Sequence, residues 1–277
     1  MTPDLFPPNV NATEKSTIAG SRIRWDWRFI ICCSRRQSVG QFLNIRIAEI
    51  MGTLLDAALK RAFSNRTERI RFIQIGGNDG VFQDPLHDHR ALGTYEFEWG
   101  HIYEPIPEYF SKLVENTKSF PYLTCHPSAV DTADVPGTRS LNYVSPSDIE
   151  RHGLPQSSQG IGSFFHDRNA IGGVGYSEAK YKAIKDFVRT IDVTTVPVSE
   201  VVKRHTGANL LVTDCEGFDV ELISAIFKHD AFRPRVVQFE HLGPMRDLLN
   251  ETLTQLMGLA YKVSRAGKDI VCELSVT

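Results

Sequence analysis

Five short apolar runs, each ending on a glycine or an acid and set apart by stretches long enough for helices, constrain this chain most. They are IRFIQIG ending at Gly76, GHIYEP ending near Glu104, YLTCHPSAV ending near Val130, NLLVTD ending at Asp214 and RVVQFEH ending near His241. Such alternation builds a parallel sheet covered by helices. A further segment, YKVSRAGKDIVCELSV, holds two β-rich runs around Ala266 and Gly267 and reads as a closing antiparallel hairpin. The expected architecture is α/β: a mostly parallel seven-stranded sheet with helices on both faces and an antiparallel C-terminal hairpin.

The flanks and the longest gap set the domain plan. Residues 1–40 mix prolines, polar residues and arginines without periodicity, which reads as a flexible N-terminal extension. Its cluster from Arg22 to Arg36, with Trp25 and Trp27, reads as a solvated arm or a docking segment. From Gln41 to Phe63, Phe42, Ile45, Ile47, Ile50, Leu54, Leu55, Ala58 and Leu59 recur near helical spacing. An amphipathic helix is expected there, leading into one domain over 41–277. Between the third and fourth strands lies an insert at about 137–191, whose GIGSFF and IGGVGYS stretches are rich in glycine. Long inserts of this kind are functional lids or disordered loops.

Composition narrows the function classes. A net charge of -2 argues against nucleic acid as the partner, because a binder must replace phosphate counterions with basic groups. The five cysteines are odd in number and lack paired C-x-x-C spacing, so neither a disulfide framework nor a zinc site is indicated and a reducing cytoplasm is expected. No apolar run approaches the roughly 20 residues of a transmembrane helix. The oligomeric state is not legible.

The chemistry concentrates at strand ends. FIQIGGNDG places Gly76, Gly77, Asn78, Asp79 and Gly80 after the first strand, where small residues let the backbone turn and approach a ligand. The alternative is a tight turn with no ligand. Glu104 lies 28 residues after Gly76, near the roughly 20-residue offset at which an acid accepts ribose hydroxyls in nucleotide-binding units. Asn78 and Asp79 fill positions that a dinucleotide fingerprint gives to glycine, so a pyrophosphate cradle is disfavoured. A cofactor with a nucleoside and a charged amino-acid tail fits better, and S-adenosylmethionine meets that description. Its adenine would reach the third strand end, making Ser128, Ala129 and Asp131 candidates by position.

At the fourth strand end, Asp214, Glu216 and Gly217 precede an apolar helix, and at the fifth Glu240 and His241 follow suit. The carboxyl edge of a parallel sheet is where such folds bind ligands, so these acids should share the crevice with Gly76 and Glu104. The alternative has Glu216 and Asp219 capping the following helix, worth about 0.3–1 kcal/mol each. Acids and a histidine at one edge suit proton transfer. Asp214 or His241 is the candidate general base, with His241 preferred because an ordinary pKa of about 6.5 leaves it largely neutral near pH 7. Glu216 completes the catalytic set, and Asp214 also counts among the cofactor-binding candidates with Gly76, Asn78, Asp79, Gly80 and Glu104. A rival arrangement has Asp214, Glu216 and Glu240 hold Mg²⁺, which would acidify a substrate hydroxyl.

FIQIGGNDG, HIYEP, VTTVPVSEVV, LLVTDCEGFDVELI and VVQFEH together resemble, in order, the FkbM-type methyltransferases, over about residues 70–276. Gly76, Asn78, Gly80, Glu104, Asp214, Glu216 and Gly217 match that family's loop, acid and aspartate-x-glutamate-glycine positions. Ser163 and Asp269 look like its later serine and aspartate. Two positions depart: Val212 stands where relatives carry lysine or glutamine, and Gln74 where many carry an acid. The resemblance implies a Rossmann-like class I fold, S-adenosylmethionine as cofactor, and O-methylation of a hydroxyl on a sugar, glycan or natural-product acceptor. The alternative function is a non-catalytic nucleoside-binding or partner-docking protein.

Overall fold

The computed structural model describes residues 53–64, 68–242 and 245–275. The extension over 1–40 and the first part of the helix expected from residue 41 lie outside the described residues. The remainder of that helix is α1, Leu54–Phe63. Thr53 starts it with a capping box: its hydroxyl accepts from the Asp56 amide at 3.1 Å, and its own amide donates to the Asp56 carboxylate at 2.6 Å. Leu55, Ala58, Leu59 and Phe63 are buried from one face of α1, each large side chain contributing about 1.5–3 kcal/mol.

The main sheet joins β1 (Ile70–Ile75), β2 (Phe97–Tyr103), β3 (Leu123–His126), β7 (Leu210–Thr213), β8 (Val236–Glu240), β9 (Tyr261–Ala266) and β10 (Asp269–Leu274). Their order is β3-β2-β1-β7-β8-β10-β9. The first five run parallel, and β10 lies antiparallel to both β8 and β9. This is the Rossmann-like order of class I methyltransferases, with the expected seven strands and C-terminal hairpin. Alternation along the strands sends Phe72, Ile102, Leu210, Val212 and Val236 to one face, where they pack with α1 and with Leu113 of α3 (Pro107–Thr117). Helices α7 (Asp219–Ile226) and α8 (Arg246–Gly258) pack against β8 and β9 respectively. The short α2 (His87–Ala91) completes the link from β1 to β2.

Two sequence expectations are corrected. The single strand expected to end near Val130 is two strands: β3 stays in the main sheet, while β4 (Ala129–Asp131) belongs to a second sheet. Pro127 sits between them and has no N–H to continue the ladder. The second sheet has the order β4-β6-β5, with β5 (Gly137–Val144) antiparallel and β4 parallel to β6 (Val188–Pro197). The insert is thus not a loop. Between β5 and β6 it carries α4 (Pro146–His152) and α5 (Glu178–Ile184), and it buries Val144, Ile149, Ile161, Ala170, Ile171 and Ile184 in a core of its own. Helix α6 (Val198–Arg204) returns the chain to β7.

Candidate functional site

The carboxyl ends of β1, β2 and β7 open onto a cleft of about 750 Å³, counting the space open to solvent. Gly76 forms its floor. Its φ is +86°, and a Cβ there would stand 2.0 Å from the Asp214 carbonyl oxygen, so only glycine lets β1 leave the sheet this close to β7. The amides of Gly76 and Gly77 donate to the Tyr103 carbonyl at 3.0 and 3.1 Å. Asn78 follows with φ +48°, a left-handed conformation that asparagine tolerates.

Glu104 binds that turn. Its Oε2 accepts from the Asn78 amide and its Oε1 from the Ile106 amide, both at 2.8 Å. Each oxygen keeps a second lone pair, and the side chain lies on the cleft wall. Burial pushes its carboxyl up to about 8, against the two backbone N–H groups that favour the ion. Two further acceptors on the wall, Asn78 Oδ1 and Asp214 Oδ1, are buried and have no hydrogen-bond partner. A buried orphan acceptor costs about 1–3 kcal/mol, so both atoms fit a ligand that brings donors. Tyr103, Ile106, Ala129, Val130, Phe164 and Phe218 give the wall its apolar part. Arg139 stacks its guanidinium 4.0 Å from the Phe164 ring and 4.9 Å from that of Phe218.

Beside the cleft stands an acid cluster. Burial raises Asp214, Glu216 and Glu240, and nearby acids, Asp219 for Asp214 and Asp214 for the two glutamates, raise them further, Asp214 and Glu240 to about 7. Lys268, on the hairpin turn before β10, pairs with Glu240. Burial alone would lower its ammonium, yet Glu240, Asp214 and Glu216 hold it above its ordinary value. Lys268 thus pairs with one of the three acids that the Mg²⁺ arrangement would use. Among the described residues, the histidines 101, 126 and 205 bring three ligand atoms together, and the three acids do not. Glu216 Oε2 also accepts from Asn169 Nδ2 at 3.2 Å, and the Ser163 hydroxyl donates to the Glu216 carbonyl at 2.8 Å, so the insert closes over this strand end.

The structure brings Gly76, Asn78, Glu104, Ala129, Asp214 and Glu216 onto one wall, and places other expected residues elsewhere. Asp79 turns its carboxylate to the amides of Val81 and Phe82, at 3.0 and 2.8 Å, and to Gln159. Gly80 serves the turn: its φ is +75°, which favours glycine, and a Cβ there would also sit 2.7 Å from the Leu113 side chain. Ser128 is buried off the wall, and Val130 lines it instead. Asp131 accepts from Arg139 at 3.0 Å and serves the second sheet. His241 lies outside the wall; burial lowers its imidazole, and its buried Nε2 has no partner. Asp219 is a turn residue: its carboxylate accepts from the Thr213 hydroxyl at 2.7 Å and the Cys215 amide at 3.0 Å. Gln74 and Val212, the two departures, are buried on the face of Phe72 rather than at the cleft.

Sequence reasoning missed Tyr103, Ile106, Phe218 and Lys268, whereas Phe164 was expected to shield the transfer site from water. Tyr103 lies within the motif already noticed and Ile106 just after it, so position alone nominates them. Lys268 has a weaker signal: it follows the glycine of the hairpin turn that β10 brings beside β8.

No protein-family model matches the chain, and none of the curated proteins does. Solved structures do match. A ribosomal protein L11 methylase from Lactobacillus delbrueckii subsp. bulgaricus is similar over 79% of this chain and 76% of its own, with 9% identity and a TM-score of 0.34. The methyltransferase FkbM from Methylobacillus flagellatus KT is similar over 78% of this chain and 47% of its own, with 11% identity and a TM-score of 0.40. A delta-N METTL16 methyltransferase domain is similar over 86% of this chain and 84% of its own, with 10% identity and a TM-score of 0.39. At this distance the likeness concerns the course of the chain, and the chemistry rests on its own residues.

Proposed function

We propose that the chain is an S-adenosylmethionine-dependent methyltransferase that methylates a hydroxyl of a small sugar, glycan or natural-product acceptor, in the manner of the FkbM-type enzymes it resembles. One observation carries the reading: Asn78 Oδ1 and Asp214 Oδ1 are orphan buried acceptors on the wall of one cleft at the carboxyl edge of a parallel sheet. Asn78 would accept from the ammonium of an amino-acid tail, the free lone pairs of Glu104 from ribose hydroxyls, and Ile106, Ala129 and Val130 would flank an adenine. The bound cofactor supplies an electrophilic methyl group.

The chain's own residues then do three things. The cleft wall holds the acceptor oxygen in line, and alignment of this kind supplies a large part of a transfer's acceleration. Phe164 and Phe218 exclude water from the reacting groups. Asp214 takes the proton that the acceptor hydroxyl loses, because burial and neighbouring acids bring its carboxyl to about 7, where a general base contributes about 10²–10⁴-fold. Lys268 stabilises the ionised cluster before that proton arrives.

Calorimetry with S-adenosylmethionine and S-adenosylhomocysteine, against a nicotinamide dinucleotide, tests the cofactor. Asp214→Asn should keep that affinity within a few fold and lose about 10²–10⁴ in kcat with a hydroxyl acceptor. Cofactor affinity without any methylated product from a panel of hydroxylated acceptors would leave a binding protein; no affinity at all would refute the reading.

A further inference from the structure

Behind the cleft wall three imidazoles meet. His101 and Trp99 on β2 share the sheet face of Tyr103, and His126 at the end of β3 pairs in register with Tyr103. His205 follows α6 and reaches back to them. His101 Nδ1 lies 3.0 Å from His126 Nε2, the rings of His101 and His205 are 3.8 Å apart, and one nitrogen from each histidine lies within 4.8 Å of the others. We propose that His101, His126 and His205 bind a zinc-class divalent transition-metal ion through one ring nitrogen each, leaving a fourth position to water.

Geometry and donor chemistry support this together. Nitrogens bound tetrahedrally to zinc at about 2.0–2.1 Å stand roughly 3.3 Å from each other, close to the spacing of the first pair, and small ring rotations bring in the third. Three neutral nitrogens select zinc, cobalt, nickel or copper, and a hard ion such as magnesium would want oxygens. An outer shell is in place. The Tyr103 hydroxyl lies 3.3 Å from His205 Nε2, and its ring stacks on His126 at 4.4 Å, the kind of contact that orients ligating imidazoles. Trp99 lies 5.4 Å from His101 and 5.9 Å from His205, completing an aromatic enclosure. The site joins β2, β3 and the segment after α6, so the ion would fix the sheet edge behind Tyr103.

The test uses the full chain, stripped with a chelator and titrated with cobalt(II) alone. One equivalent should bind with the intense visible bands of a tetrahedral site, and zinc should displace it. A Trp25→Phe, Trp27→Phe variant leaves Trp99 as the single tryptophan of three, and its fluorescence should be quenched by the same equivalent. His126→Gln and His205→Gln should each weaken binding at least tenfold. Absence of the bands, or unchanged affinity in both folded variants, overturns the site. If the variants do not fold, X-ray absorption of the wild-type zinc complex decides. All nine histidines are among the described residues, and only these three lie close enough to share an ion, so scattering from three imidazoles supports the site and from fewer refutes it.

Discussion

Gly76→Ala is the sharpest test of how β1 leaves the sheet. The new methyl would stand 2.0 Å from the Asp214 carbonyl oxygen, a backbone atom that cannot swing aside. The ends of β1 and β7 would have to part by about 1 Å, straining the Asp214 amide bond to the Ile75 carbonyl at 2.9 Å and the Gly76 bond to Tyr103 at 3.0 Å. Two hydrogen bonds weakened at about 0.5–1.5 kcal/mol each, with about 1–2 kcal/mol for a side chain at left-handed φ, give a loss of roughly 2–5 kcal/mol. That is a large part of the roughly 5–15 kcal/mol a domain has. Gly93→Ala is the control: its φ is +60°, but nothing lies within 4 Å of the added carbon, so only the conformational part of about 1–2 kcal/mol applies. Denaturant unfolding of both variants measures the difference. If Gly76→Ala loses no more than Gly93→Ala, the close approach of the two strand ends is not what requires glycine.

Glu104→Ala should weaken S-adenosylmethionine binding by about 10–100-fold, from the roughly 1.5–3 kcal/mol of a charge-assisted hydrogen bond; equal calorimetric affinity in a folded variant would remove Glu104 from the cofactor site. Stability of the ligand-free protein should fall as pH rises from about 5 to about 8. Glu104 is raised to about 8 and Asp214, Asp219 and Glu240 to about 7, so the stability they contribute is present below their ordinary values and lost as pH climbs through the raised ones; a urea midpoint that climbs over this window would contradict the burial of ionisable acids. Hydrogen exchange should slow over 163–176 when S-adenosylhomocysteine and an acceptor are both present, and identical exchange with and without them would show that the insert is not a lid.

The main sheet was legible because parallel strands buried on both faces read as unbroken apolar runs, and each such run ended on residues with a reason to be there. Gly76, Glu104 and Asp214 were legible for the same cause: the carboxyl edge of the sheet gathers strand ends from distant parts of the chain. The second sheet was not, since β5 opens on the small and polar run Gly137 to Ser140 and is separated from its partner β6 by the rest of the insert, and the switch from β3 to β4 turns on one proline. Loop direction was equally hidden. Asp79 and Asn78 are adjacent and alike in character, yet the left-handed turn at Asn78 sends one carboxylate to cap a turn while leaving the other side chain in the cleft. The histidine cluster was invisible because its members come from three separated segments with no short spacing between them.

The path of the chain through the second sheet has an evolutionary corollary. β4 and β6 are paired neighbours, Ala129 with Thr195 and Val130 with Val196, so everything from β5 to α5 leaves and re-enters through two adjacent strands. A segment with ends that close and an apolar interior of its own can be exchanged as a unit if its seam with Ile106 and Tyr109 is kept, much as an attachment with a standard fitting is. Divergence or laboratory recombination between these two junctions can replace the whole covering of the cleft while Gly76, Glu104 and the parallel strands beneath them stay as they are.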